Sequence, residues 1–258
     1  MKLRSDIDIN NNVIIRKVIT MKYIKTEKYD HNFIKENIMG PNPLKMLEQM
    51  LDKHPLDKGA TVMDLACGKG LTSIFLAKEC SARVFATDLW ISATENKKRF
   101  DDFGLNSEQI IPIHSEAHEF PYAEEFFDTI VCIDSYHFFG LDKDYLGKHL
   151  LPLVKHGGYL LFVVPGFKKN LHDNLPPEML LSWNTEGLTT IQDMNTWKDI
   201  LSATEDVEIT DMFELEDHDE MWNDWLESDN EYAVSDRKSM NAGAGKYMNL
   251  IGIILKRK

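Results

Sequence analysis

The stretch from Thr61 to Lys78 limits the fold more than any other part of the chain. Residues 62–66 (Val62, Met63, Asp64, Leu65, Ala66) are nearly all apolar, as in a strand buried on both faces. Gly68 and Gly70 then mark a sharp turn, and Leu71, Ile74, Phe75 and Lys78 keep helical spacing. A strand, a glycine turn and a helix in this order belong to a parallel α/β sheet. The turn falls at the carboxyl edge of the first strand, where glycine lets backbone approach a ligand and a helix N-terminus offers free N–H groups. A dinucleotide fingerprint needs a third glycine, and Ser73 stands in its place.

The acidic residues around the turn narrow the ligand. Asp64 lies on the strand four residues before Gly68, and Asp88 closes the next apolar run, where a carboxylate can accept from both hydroxyls of an adenosine ribose. Asp64-Leu65-Ala66-Cys67-Gly68-Lys69-Gly70 resembles the first motif of the class I S-adenosylmethionine (SAM)-dependent methyltransferases, an acidic residue followed by x-G-x-G-x-G. Ala66 replaces the first family glycine, a mild change unless φ is positive there. The resemblance implies SAM as cofactor, held by Asp64, Ala66, Gly68, Gly70 and Asp88, with Leu89 and Trp90 packing on adenine. It also places Glu116, with Ala117 beside it, at the adenine amino group.

From residue 61 onward, strand and helix patterns alternate. Strands are expected near 61–66, 82–87, 109–114, 128–134, 158–164, 206–213 and 248–256, and helices near 71–80, 91–103, 143–154 and 193–204. The fold class is α/β, a doubly wound, seven-stranded, mostly parallel sheet of the Rossmann-like methyltransferase type, whose last strand the resemblance inserts antiparallel between strands five and six. Two helices, 29–38 and 44–54, precede it as an N-terminal cap spanning about 21–58. The cap resembles that of ubiquinone- and menaquinone-biosynthesis methyltransferases, which implies that Met39, Gly40 and Asn42 touch the cofactor. The remainder reads as one domain, 21–258, with a loosely packed extension over 1–20 and a substrate-lid excursion near 165–192.

The fourth strand ends in Asp134-Ser135-Tyr136-His137. Methyltransferases acting on DNA base amines have prolines here, and this chain has none. Methyl transfer needs alignment more than covalent help, so a base matters only for a protonated nucleophile. His137 is the expected base, with Tyr136 beside the acceptor and Asp134 helping to hold the methionine end of SAM or the acceptor. His114 and His118 flank Glu116 as H-x-E-x-H rather than H-E-x-x-H, so no metal site is expected.

Charge bears on the acceptor. No lysine or arginine lies between Lys198 and Arg237, a stretch carrying 15 of the 42 acidic residues, while elsewhere 29 basic residues face 27 acidic ones. Without a basic stripe a nucleic-acid substrate is disfavoured, leaving a small neutral or cationic acceptor. Residues 217–227 read as an amphipathic helix with a solvated acidic face; a sharper reading makes some of these acids, with Tyr232 and the tryptophans, a wall for a cationic amine. No apolar run reaches the roughly 18 residues of a membrane helix, the first twenty lack a secretory core, and Cys67, Cys80 and Cys132 form no C-x-x-C pair. The expectation is a cytoplasmic enzyme, its oligomeric state open. A SAM-binding protein without transferase activity and a nucleotide-dependent oxidoreductase are the other readings, the second disfavoured by Ser73.

Overall fold

The computed structural model describes residues 22–258; the expected extension 1–20 lies outside them. Helix α1 (His31–Asn37) leads through a Gly-Pro turn into α2 (Pro43–Lys53). Asn42 caps α2, its Oδ1 accepting from the backbone N–H groups of Leu44 and Lys45, and Pro43 supplies the fixed φ of a first helical residue. Then follow β1 (Thr61–Leu65), α3 (Leu71–Glu79), β2 (Arg83–Asp88), α4 (Ala93–Asp102), β3 (Ile110–His114), β4 (Phe127–Ile133) and β5 (Val154–Phe167). The C-terminal third holds α5 (Thr185–Leu188), β6 (Gln192–Asp193), α6 (Met194–Leu201), β7 (Val207–Glu214), α7 (His218–Leu226), α8 (Glu231–Asn241) and β8 (Met248–Arg257).

The sheet runs β3-β2-β1-β4-β5-β8-β7, with β8 antiparallel to both β5 and β7 and every other pairing parallel. The last strand thus inserts where expected. Eight strands replace the expected seven, because the two-residue β6 pairs with the tip of β5. Alternation along β1 explains its unbroken apolar run. Val62 packs into a core with α2 and α3, while Met63 and Leu65 face the opposite core with Phe162 and Trp197.

One local expectation needs correction. The helix expected over 143–154 is a π-turn, Leu146–Leu150, followed by a 3-10 turn, Leu151–Leu153, because Pro152 cannot donate to a continuing α-helix. The chain after β5 is docked onto α8 through Ser182, which bonds Ser235 and Ser239. No helix among the described residues is long and apolar enough to cross a membrane.

Candidate active site

The turn after β1 is tighter than its sequence suggests. Ala66 (φ 55°), Gly68 (φ 54°) and Gly70 (φ 77°) are all left-handed, so the alanine in place of glycine is not a mild change but a strained one. Glycine at 70 is also required by space, since a Cβ would stand 2.6 Å from the Phe100 ring. Asp64, expected at the cofactor, is buried with its Oδ2 accepting from the hydroxyls of Thr72 (2.6 Å) and Ser73 (2.5 Å). Ser73 therefore braces the strand against the first turn of α3. The Asp64 Oδ1 is buried without a partner among the described residues, and burial pushes the carboxyl up to about 6.

Asp88 closes β2 and ties the neighbouring loops together. Its Oδ2 accepts from the Gly68 N–H (2.8 Å), and its Oδ1 from the N–H groups of Trp90 and Ile91 (2.8 Å each). Of about four lone-pair positions on a carboxylate, three are filled. The fourth, on Oδ2, is open to a further donor. Leu89 and Trp90 are exposed, Trp90 to 74%, so Trp90 is no core residue; its ring lies 6.3 Å from exposed Phe138. Glu116 receives the backbone and ring nitrogens of His118, and Ala117 accepts from the Tyr145 hydroxyl through its carbonyl. His114 turns instead to the Leu89 carbonyl, so the two histidines do not converge.

At the end of β4, Asp134 takes a left-handed conformation (φ 61°) and lies against the cap. A Cβ on Gly40 would stand 2.1 Å from its Oδ2, and one on Gly68 2.9 Å from the Met39 sulfur. The turn 39–42 thus covers both the glycine loop and β4. Asp134 receives no hydrogen bond from any described residue; desolvation, then the charge of Asp236, pushes its carboxyl up to about 8. Tyr136, expected beside the acceptor, is instead a core residue, fully buried and stacked on Phe162 at 4.2 Å. Its hydroxyl is buried with no partner among the described residues. His137 is 5% exposed, its Nδ1 has no partner among the described residues, and burial holds its pKa down at about 3. A base so weakly basic is poorly matched to proton removal near neutral pH, whereas a carboxyl near 8 is well matched.

The acidic stretch is mostly structural. Lys45, whose side chain is 9% exposed, pairs with Glu220 (2.6 Å) and Asp224 (2.7 Å), and Lys22 pairs with Glu216 and Asp217. Asn42, expected at the cofactor, is 2% exposed and spends its side chain on the α2 cap and on Asp224. Tyr232 points to solvent at 69% exposure. The acid that turns inward is one that sequence reasoning did not single out: Asp236 on α8, which accepts from the indoles of Trp183 (2.8 Å) and Trp225 (2.9 Å). Its only sequence signal was its place at the end of the lysine-free stretch.

Residues 62–158 match the family described as methyltransferase domain. No curated protein matches the chain in sequence. Among solved structures, geranyl diphosphate C-methyltransferase from Streptomyces coelicolor A3(2), in complex with Mg2+, geranyl diphosphate and S-adenosyl-L-homocysteine (SAH), aligns at 14% identity and TM-score 0.64, over 83% of this chain and 78% of that one. Haemonchus contortus phosphoethanolamine N-methyltransferase 2, in complex with phosphomonomethylethanolamine and SAH, aligns at 17% identity and TM-score 0.66, over 92% of this chain and 59% of that one. The cyclase SpnF aligns at 14% identity and TM-score 0.66, over 83% and 80%. At such identities the likeness concerns the fold, which serves more than one chemistry. Residues 62–158 thus match a methyltransferase domain, and the chain shares the fold of methyltransferases solved with S-adenosyl-L-methionine or SAH.

Proposed function

We propose that this enzyme methylates a small neutral or cationic acceptor at the carboxyl edge of β4, by in-line displacement. The observation that carries this reading is Asp134, an unpartnered carboxylate beneath the turn that also covers Gly68. Bound SAM supplies an electrophilic methyl group on a sulfonium centre. The chain's own share is to hold the ribose through Asp88, to align the acceptor over Asp134 and to exclude water with the turn 39–42. Asp134 takes the proton of an acceptor that carries one.

The small-molecule class is supported by charge, since the acidic excess beyond Lys198 repels polyanions. The narrower kinship to ubiquinone- and menaquinone-biosynthesis enzymes rests on the cap turn alone. Free Cys67, Cys80 and Cys132 suit the reducing cytoplasm in which we place the enzyme. SAM binding without transfer is the second reading, opposed by the poised carboxyl of Asp134.

Thermal shift and calorimetry test the cofactor half: SAH should raise Tm and NAD should not. Asp88→Ala should weaken SAH by about 1–3 kcal/mol as the ribose loses a charged acceptor. Unchanged affinity would remove Asp88 from the ribose site. Labelled SAM with a metabolite pool, followed by mass identification of the methylated product, tests transfer itself; binding without any labelled product would favour the second reading.

A further inference from the structure

Helix α4 holds the glycine turn from behind, and one of its residues does so with a buried amide. Asn96 is 1% exposed, and its Nδ2 donates to the Gly68 carbonyl (2.9 Å) and lies 3.8 Å from the Cys67 sulfur. Its Oδ1 accepts from the Arg99 guanidinium at 2.9 Å. A guanidinium can only donate, so the amide oxygen must face Arg99 and the amide N–H groups must face the turn. Phe100, on the same stripe of the helix as Asn96, fills the space beside Gly70.

Gly68 is thus tied through both of its polar groups. Its carbonyl receives Asn96, and its N–H donates to the Asp88 Oδ2 at 2.8 Å. Asp88 is in turn tied through its Oδ1 to the N–H groups of Trp90 and Ile91, in the loop that leads into α4. The capping box of Ser92 and Glu95 fixes where that helix begins. The bonds form a closed circuit: Asp88 to Gly68, Gly68 to Asn96, and α4 back through its leading loop to Asp88. Asn96 is the link that joins the helix to the turn.

We propose that Asn96 is a positioning residue for the cofactor, holding the Gly68 peptides, and through them the Asp88 carboxylate, in the orientation that receives the ribose. This rests on the methyltransferase reading above and deepens it. Gly68 is left-handed at φ 54°, and glycine crosses to other backbone regions readily, so a turn freed of Asn96 has several conformations to choose from. Binding must then order the turn and the Asp88 side chain together, which lowers affinity even though no group that touches the ligand has been removed.

The test is a double-mutant cycle on the full chain, with SAH affinity by calorimetry as the readout. Asn96→Leu and Asp88→Ala are made singly and together. Asn96→Leu should weaken SAH by ~10-fold or more, but by less than ~3-fold when Asp88 is already alanine, because its effect passes through that carboxylate. A residue that merely packs α4 would lower the affinity by the same factor in both backgrounds. That multiplicative result overturns the proposal, as does wild-type SAH affinity in a folded Asn96→Leu protein. Should Asn96→Leu not fold, Arg99→Leu takes its place in the cycle, since it frees the amide to turn away from Gly68 while leaving it buried. A loss of ~3-fold that disappears in the Asp88→Ala background is then expected, and a loss that persists there, or no loss at all, overturns the proposal. Failure of the wild-type chain to bind SAH strikes the methyltransferase reading, whereas absence of coupling in a chain that binds SAH strikes the role of Asn96 alone.

Discussion

Gly40 and Asp134 are in van der Waals contact across the cap and the sheet, so close that any side chain at 40 would occupy the position of the Asp134 carboxylate. Gly40 has no positive φ, so space alone demands glycine here. Gly40→Ala should cost about 1–3 kcal/mol, roughly 3–10 °C in Tm, as overpacking does. The double variant Gly40→Ala/Asp134→Ala should recover most of that loss, measured as a coupling energy. Additive losses would show that the two residues do not meet.

Asp134 should make the fold less stable as pH rises. Its pKa is raised on folding from an ordinary 3.8 to about 8, so the native state binds more protons than the unfolded state between those values. Stability from this group therefore falls from pH 4 to pH 8 and is level above. Asp134→Asn should raise Tm by an amount that grows across that window, read by thermal melts in matched buffers. A pH-independent gain would mean that the carboxyl is not desolvated.

His137 has the opposite sign. Its pKa is lowered from 6.5 to about 3, so the unfolded state binds the extra proton and stability is lost as pH falls through that range. Denaturation midpoints of His137→Asn against wild type should diverge below pH 6.5 and run parallel above it. For the same reason, no turnover limb at 6.5 should belong to His137. A limb there that vanishes in the variant would restore it as the base.

Ala66 strains the cofactor turn. A left-handed alanine costs roughly 1–2 kcal/mol, and replacing it by glycine adds back about 0.5–1 kcal/mol of chain entropy. Ala66→Gly should therefore stabilise by about 0.5–1 kcal/mol, seen as a higher urea midpoint at unchanged slope.

The strands and the glycine turn were legible because burial on both faces writes an apolar run directly into β1, β4 and β5. Helix α8 was not: of its residues only Ala233 and Ser239 are buried, so no apolar stripe marks it, and with it Asp236 was missed. The capping role of Asn42 was not legible because a helix cap and a ligand contact draw on the same side-chain chemistry. Tyr136 and His137 both follow Asp134, but their turn points Tyr136 into the far core, an orientation with no periodic signature. The backbone angle of Ala66 is likewise set by the turn around it rather than by its own identity.

The joint between α2 and α7 has a consequence for how the enzyme is made. Asn42 meets Asp224 and Lys45 meets Glu220 across 182 and 175 residues of sequence, so these contacts cannot form until α7 has left the ribosome. The sheet strands β1 to β5 are available much earlier. Until α7 is synthesised the cap lacks its anchor, and a nascent or C-terminally shortened chain carries a cofactor edge with no secured roof. The roof over that edge is thus secured by α7, long after the glycine turn that it covers has been synthesised.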